Sequence, residues 1–339
     1  MATTMQDVAA AAGVSRATVS LAFRGDTRIP HATVERVRTA AEQLGYVYNG
    51  AAARLRSGRS RVVGLIVPDL RNPFIANMLA GIDAACEERD HTVMIASSGE
   101  SAARQHRAIT AMLEHGVDGI LLIAARDTTA DDLRTLTESR VPVVEVTRRV
   151  PGVTVPYVGA DNVEAARLAC RHLLEIGHRT IAFAGGHLSS SARIERLRGI
   201  HLAHKSVGAA FREELDFPSN VSMRAGFEMA HSLPTDLPAV TAVICYNDVV
   251  ALGFLRGLAD CGRRAGADFS VMGFDDTDEA ALSDPGLSTV GVSPSRIGSE
   301  AIRLLFDTVA GVAGDSILML PPRMVLRDST AAPHRVPPK

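Results

Sequence analysis

The feature that most constrains this chain is a pair of short helices near its N-terminus, joined by a tight turn. Thr4 can cap the first helix, and Asp7, three residues later, favours the positive end of its dipole. Gly13 permits the left-handed backbone that ends this helix, and Ser15 can cap a second helix. This spacing predicts a helix-turn-helix motif.

The second helix is predicted to pack on the first through Val19, Ala22 and Phe23. The residues that then face outward are Arg16, Ala17, Ser20 and Leu21. In a helix-turn-helix motif such positions meet base edges in the major groove of DNA. The alternative is an ordinary helical hairpin, which the short and bidentate character of the outward side chains disfavours.

Basic charge is concentrated in the first 60 residues. They hold eight Arg against four acidic residues, an excess of +4, although the whole chain of 339 residues carries −2. A module that contacts phosphates needs such an excess. The alternative is a general preference for Arg, because Lys205 and Lys339 are the only lysines of the chain.

Composition places the rest of the chain among ordinary globular proteins, with 46% hydrophobic and 22% charged residues. No apolar run approaches the ~18 residues of a membrane span, and the polar N-terminus leads directly into a helix rather than a secretory signal. We therefore expect a cytoplasmic protein without membrane contact. The cysteines lack metal-type spacing and are expected to be buried and reduced: Cys86, Cys170, Cys245 and Cys261.

Beyond a third helix at about 32–44, alternating strands and helices predict an α/β body. The predicted strands are Val62–Val67, Thr92–Ala96, Gly119–Ala124, Val143–Val146, Thr180–Ala184, Ala242–Cys245 and Phe269–Gly273. The predicted helices lie near 74–89, 102–115, 130–139, 162–176, 192–204 and 248–260. Continuous apolar strands between helices indicate parallel sheets covered on both faces. Two such series suggest two lobes, with a ligand site beyond the carboxyl ends of the strands.

The sequence offers no chemistry typical of an enzyme. It has no Walker-type loop and no nucleophile elbow, and its histidines form no ligand pattern. Gly185-Gly186 lacks the third glycine of a dinucleotide turn, so a tight turn is the better interpretation. We expect no catalysis, no cofactor and no metal.

The order of motifs over nearly the whole chain closely resembles the lac repressor (LacI) family of bacterial transcription regulators. The segments that carry the resemblance are 7–9, 13–15, 17–20, 37–49, 67–74, 159–162, 177–179, 246–253, 273–276 and 321–330. The resemblance implies a helix-turn-helix head on a two-lobed body like that of periplasmic binding proteins, with doubly wound parallel sheets.

The resemblance also implies which residues approach DNA. Arg16, Ala17 and Leu21 would read base edges, and Leu55 would wedge into the minor groove at the operator centre. A plainer role for Leu55 is to anchor the hinge on the body. The further DNA-binding candidates are Thr4, Ser15, Thr18, Ser20, Arg24, Arg28, Thr33, Tyr46, Asn49 and Ala52.

For the effector, the resemblance implies a site in the cleft between the lobes. Its candidate residues are Phe74, Thr147, Arg148, Arg196, Val221, Asn247 and Asp275. Arg, Asn and Asp side chains can bind hydroxyls or a carboxylate, and Phe offers a stacking face. Asn247 and Asp275 could equally cap loops at the strand ends.

The chain departs from the family at several of these positions. Thr147 stands before Arg148 where an Asp is common, Val221 replaces a common aromatic, and Pro30 replaces a capping Ser. One extra residue in the loop from Ser189 makes Arg193 a rival to Arg196. These departures leave the effector open between a sugar, which we favour, and a nucleoside, purine or other small metabolite.

The expected function is that of a transcription regulator, with repression favoured, that binds a palindromic operator as a homodimer and responds allosterically to the effector. A sugar-binding receptor without a regulatory role is the alternative from another class. The expected domains are a head (1–48), a hinge helix and linker (49–60), a body (61–330) and a disordered tail (331–339). Lobe N would comprise about 61–160 and 290–320, and lobe C about 161–289 and 321–330.

Overall fold

The computed structural model describes residues 3–24, 26–46, 60–236, 239–312 and 316–333, without the side chains of 234–236. The chain divides into two compact units, Met1–Ser60 and Arg61–Lys339. The finer limits given above, of hinge and lobes, remain predictions. No helix in the described ranges is both long and apolar enough to cross a membrane.

Within residues 3–24 and 26–46, the N-terminal unit forms three helices, α1 (Met5–Ala12), α2 (Arg16–Phe23) and α3 (His31–Gln43). Thr4 caps α1 and exchanges hydrogen bonds with Asp7, and Gly13 ends the helix at φ 64°. The Ser15 hydroxyl accepts the Thr18 N–H at 3.0 Å and so caps α2. The helices enclose a small core of Val8, Ala9, Ala12, Val19, Ala22, Val37, Ala40 and Ala41.

The body alternates strands and helices from residue 62 to residue 325. Its strands are β1 (Val62–Val67), β2 (Thr92–Ser97), β3 (Gly119–Leu122), β4 (Val143–Val146), β5 (Tyr157–Ala160), β6 (Ile181–Ala184), β7 (Asp216–Phe217), β8 (Ala242–Cys245), β9 (Ser270–Phe274), β10 (Ser288–Gly291), β11 (Ile317–Leu320) and β12 (Arg323–Val325). Its α-helices are α4 (Pro73–Glu87), α5 (Ala102–Glu114), α6 (Arg134–Thr137), α7 (Asn162–Glu175), α8 (Ser191–Ser206), α9 (Met223–Asp236), α10 (Asp248–Asp260), α11 (Asp278–Leu282) and α12 (Pro294–Val309).

Within the described residues, these strands form two six-stranded sheets. The first has the order β11-β5-β4-β3-β1-β2, and the second the order β12-β10-β9-β8-β6-β7. Every neighbouring pair is parallel except β10 and β12. The central strands are buried along their whole length, because helices cover both faces of each sheet. The predicted α/β class with two doubly wound parallel sheets is confirmed.

The chain passes between the sheets after β5, between β10 and β11, and again between β11 and β12. The chain therefore crosses between the lobes several times, rather than through one linker. Such a connection permits the lobes to rotate against each other while the sheets stay intact.

Helix pairs in the body approach closely where glycines face a neighbour. A Cβ at Gly253 in α10 would lie 2.0 Å from the carbonyl oxygen of Met223 in α9, and one at Gly226 would lie 2.0 Å from that of Val250. No side chain fits such a contact, so the two glycines set the distance between α9 and α10.

Three expectations are wrong in detail. The helix near 130–139 is instead a 3₁₀ turn (Asp131–Leu133) followed by the four-residue α6. Cys261 is exposed, unlike the other three cysteines, because it lies just beyond the end of α10. The tail is ordered at Ala331, whose N–H donates to Ser270 Oγ at 3.0 Å; residues 334–339 lie outside the described residues.

Candidate functional site

The first turn of α2 presents its side chains to solvent. Arg16 and Ala17 are exposed, Leu21 is half-buried, and the Ser15 and Thr18 hydroxyls lie 2.9 Å apart at the helix N-terminus. A helix N-terminus with free N–H groups and a nearby Arg favours a phosphate or a base edge. The structure thus leaves the residues predicted to read bases free to do so.

Ser20 does not face outward as predicted. It is only 9% exposed, because α2 packs against both α1 and α3 and buries the side next to Val19. Its carbonyl oxygen accepts a hydrogen bond from Arg24 Nε at 3.0 Å, which folds Arg24 back on the end of α2. Ser20 could therefore contact DNA only through the small part of the residue that remains exposed.

The other predicted DNA contacts are spread around the unit. Thr4 is exposed, Thr33 lies in the first turn of α3, and the Tyr46 ring packs against Phe23 with centroids 6.1 Å apart. Asn49, Ala52 and Leu55 lie outside the described residues.

Arg28 is paired with Asp26, at 2.7 Å from Nη2 to Oδ2. This hydrogen bond holds the pKa of Asp26 well below its usual value. Among residues 3–24 and 26–46, five Arg face four acidic residues. Most of the excess of +4 therefore comes from Arg54, Arg56 and Arg59, beyond the described residues.

The body contains a cavity of about 900 Å³ at the carboxyl ends of both sheets. Its lining includes all the predicted effector residues: Phe74, Thr147, Arg148, Arg196, Val221, Asn247 and Asp275. They follow β1 and β4 of the first sheet and β6, β7, β8 and β9 of the second. Each strand ends at the same edge of its sheet, which is why residues 200 positions apart meet in one cleft.

Arg196 in α8 is rigidly held at the cleft wall. Its Nε donates to Asn162 Oδ1 at 3.0 Å, and its Nη1 donates to the Tyr246 carbonyl oxygen. The guanidinium lies between two rings, 4.8 Å from the Tyr246 centroid and 4.4 Å from the Phe274 centroid. Stacking and hydrogen bonds together fix the guanidinium at the wall of the cavity.

The rival residue Arg193 does not line the cleft. It is 1% exposed, pairs with Asp216 of β7 and donates from Nε to the Gly185 carbonyl oxygen at 3.0 Å. Its guanidinium lies 4.9 Å from the Phe183 ring. Arg193 thus ties α8 to the second sheet, while Arg196, three residues later, is available to an effector.

Asn247 and Asp275 combine the two roles left open by the sequence. Asn247 caps α10 by accepting the Val250 N–H at 3.1 Å, and it also donates a hydrogen bond to Asp275. Asp275 has φ 120°, a conformation that non-glycine residues rarely adopt and that is common at functional sites. Burial raises the pKa of the Asp275 carboxyl well above its usual value, against the opposing effects of Arg196 and Asn247.

Behind Asp275 lies a fully buried carboxyl, Asp248. It accepts the Thr277 N–H at 2.9 Å and the Thr289 hydroxyl at 2.7 Å. Burial raises its pKa to about 7. Asp248 ties the loop after β9 to strand β10, and so positions the Asp275 loop.

Arg148 occupies the opposite wall, on the first sheet. Its Nη1 and Nη2 each donate to Glu100 at 3.0 Å, and Nη1 also donates to the Ala124 carbonyl oxygen at 3.0 Å. Burial would lower the pKa of Arg148, but Tyr246 and Glu100 raise it. Since Tyr246 belongs to the second sheet's loops, its contact with Arg148 joins the walls of the cleft.

The structure adds residues that the sequence reasoning missed. Tyr246 and Phe274 supply the ring faces that Val221 does not, and Glu100, Arg104 and Arg126 contribute charge. Tyr246 could have been identified from the sequence, because it directly precedes the predicted cleft residue Asn247. No group of His, Cys, Asp or Glu in the described ranges is arranged to hold a metal ion.

Two family profiles cover most of the chain. Residues 4–49 match bacterial regulatory proteins of the lacI family, and residues 60–319 match the periplasmic binding proteins and sugar binding domain of the LacI family. The chain belongs to the LacI family. It is a DNA-binding transcriptional regulator of that family, as predicted, with a periplasmic-binding-protein-like body.

The similarity to other LacI-family proteins extends over almost full length. The maltose regulon regulatory protein MalI of Escherichia coli K12 is 36% identical over 91% of this chain and 90% of its own. The lac repressor dimer bound to operator and the anti-inducer ONPF has a TM-score of 0.85 at 26% identity, over 98% of this chain and 100% of that one. A CelR–cellobiose complex has a TM-score of 0.74 at 32% identity, over 97% and 100%.

Proposed function

We propose that this LacI-family regulator is a cytoplasmic repressor that binds a palindromic operator as a homodimer. A small sugar-like effector in the cleft of the body would change its affinity for DNA. The protein would act by binding alone, without catalysis.

One observation carries this proposal. Side chains from the loops of both sheets converge on one cavity, whose volume of about 900 Å³ suits a small ligand. Arg196 and Asn247 offer donors to a hydroxyl, Asp275 an oxygen, and Phe74 and Tyr246 ring faces. A polyol needs this combination to replace its hydrogen bonds to water.

The relatives support the same interpretation. One similar structure is a dimer on operator DNA, another holds cellobiose, and MalI is named for the maltose regulon. A helix-turn-helix module reads only a few base pairs, so two modules in one dimer gain specificity on a palindrome.

The route from effector to DNA would pass through the lobes. Arg149 N–H of lobe N donates to Ser191 Oγ of lobe C at 3.1 Å, beside the contact of Arg148 with Tyr246. A ligand that bridges the walls would change the balance between open and closed lobes. By linkage, the effector then changes DNA affinity by the same factor as DNA changes effector affinity.

The test compares wild type with Asp275→Ala. An operator selected from random duplexes is titrated by fluorescence anisotropy, with sugars, nucleosides and small acids added in turn. Loss of a buried acceptor costs roughly 1–3 kcal/mol, or about five- to 150-fold in effector affinity. We expect Asp275→Ala to bind the operator normally and to lose the effector response.

Asp278→Ala, which alters an exposed carboxylate nearby, is the matched control and should respond as wild type does. A full response in Asp275→Ala would place the effector site elsewhere. If the wild type selects no duplex above background, the repressor function itself fails.

A further inference from the structure

Positive charge predominates in the cleft. Its lining holds five Arg against three acidic residues, an excess of two positive charges, whereas the whole chain carries −2. The residues concerned are Arg71, Arg104, Arg126, Arg148, Arg196, Asp69, Glu100 and Asp275. A cavity of the opposite sign to its protein concentrates anions.

The excess lies on the wall formed by the first sheet. Arg126 and Arg148 both approach the single carboxylate of Glu100, with Arg126 Nε 4.0 Å and Arg148 Nη2 3.0 Å away. The backbone N–H of Arg126 also donates to Glu100 Oε2 at 2.9 Å. One carboxylate cannot neutralise the two guanidinium groups that it positions.

Arg104 brings a third guanidinium to the same wall. A Cβ on Gly99 would lie 2.6 Å from Arg104 Nη1, and Arg104 Nη2 donates to the Ser97 carbonyl oxygen at 3.3 Å. Arg104 therefore lies over the loop after β2, at the solvent-exposed rim of the cleft. In the part of the chain that the structure describes, no acidic side chain forms a salt bridge with Arg104.

The acceptors of the cleft are already engaged. Asp69 pairs with Arg71 at 2.8 Å, Glu100 accepts both Arg148 Nη atoms, and Asp275 accepts from Asn247. The N-terminus of α5, which Ser101 caps, adds the positive end of a 13-residue helix on this side. A ligand that satisfies this wall must bring oxygen acceptors and negative charge.

We propose that the effector is a sugar-like molecule carrying an oxyanion, a phosphate or a carboxylate, seated against Arg104, Arg126 and Arg148. This inference rests on the proposed function and narrows its ligand class. The hydroxyls of the same molecule would face Arg196 and Asn247 on the second sheet. A phosphate, with a charge of about −1.5 to −2 at neutral pH, would match the excess of the wall.

The experiment uses full-length protein and matched panels of compounds. Neutral mono- and disaccharides, their phosphates and the corresponding sugar acids are compared by thermal shift and calorimetry, with inorganic phosphate alone as the fragment probe. We expect a phosphorylated or acidic sugar to bind at least about tenfold tighter than its neutral counterpart. Binding should weaken as sodium chloride is raised. The phosphate and acid panels distinguish the two sources of the oxyanion.

In the double variant Arg104→Gln/Arg126→Gln, the ratio of anionic to neutral sugar affinity should fall about tenfold or more. Arg107→Gln should keep the wild-type ratio, because Arg107 is exposed on the same helix as Arg104 but lies outside the cleft lining. Equal binding of anionic and neutral sugars, or an unchanged preference in the double variant, overturns the inference. If only a neutral sugar binds the protein and causes it to release the operator, the proposed function stands and the anionic ligand class is wrong. If no compound alters operator affinity, both fail.

Discussion

Glu145 gives this protein a pH dependence that can be worked out from its burial. The carboxyl lies on β4, only 1% exposed, and its Oε1 accepts the Val150 N–H at 2.9 Å. Burial raises its pKa from 4.5 to about 7, although Val150 and Arg149 act in the other direction. Because Val150 lies two residues after Arg148 in the loop between β4 and β5, the same carboxyl also fixes one wall of the cleft.

A raised carboxyl pKa means that the folded state holds its proton more tightly than the unfolded state. The stability that depends on this proton is complete below about pH 4.5 and is lost as the pH rises through about 7. A shift from 4.5 to about 7 corresponds to about 3 kcal/mol at 1.36 kcal/mol per unit. The substitution Glu145→Gln removes the charge and keeps an oxygen for Val150.

We therefore expect Glu145→Gln to exceed the wild type's free energy of unfolding by less than about 1 kcal/mol at pH 5 and by up to about 3 kcal/mol at pH 8. The measurement is urea unfolding of both proteins at pH 5, 6, 7 and 8. Glu138→Gln, at an exposed site, controls for the loss of a carboxylate as such. Parallel curves for Glu145→Gln and wild type over this range would refute the reasoning. Asp248, whose pKa is also about 7, leaves a residual slope in both.

Three further variants test the head, the hinge and the packing of the body. Arg16→Ala should weaken the free energy of operator binding by about 1–3 kcal/mol and reduce the base preference at one symmetric base pair. An unchanged ratio of operator to scrambled-duplex affinity would count against base reading. Leu55→Ala should weaken operator binding but preserve the melting temperature and effector affinity, because a wedge acts only on kinked DNA; wild-type operator affinity would leave Leu55 an anchor. Gly253→Ala should lower the free energy of unfolding by about 2 kcal/mol or more, because its Cβ meets the Met223 carbonyl oxygen; equal melting curves for Gly253→Ala and wild type would exclude the tight contact.

Local chemistry explains which parts of this structure the sequence could predict. Thr4, Gly13 and Ser15 act on backbone groups within three residues of themselves, so their caps and turn follow from spacing alone. The apolar strands are equally local, because a strand buried on both faces needs no partner to be recognised. The resemblance to the LacI family supplied the cleft set from Phe74 to Asp275, and its members lie together because the carboxyl ends of parallel strands meet at one edge.

Contacts between distant residues decided the rest. Arg193 and Arg196 look alike in sequence. Only the structure shows that Arg193 pairs with Asp216, on another strand, whereas Arg196 lies at the cleft. Ser20 is buried because α1 and α3 both pack on α2, which no property of α2 itself reveals. The pKa of Glu145 and the convergence of three guanidinium groups near Glu100 likewise depend on loops from separate strands. The sequence alone determined the family, the fold class and the first set of cleft residues. Tertiary packing added the other cleft residues and decided which charges are paired, because an ion pair forms between side chains that folding brings together, however far apart they lie in the chain.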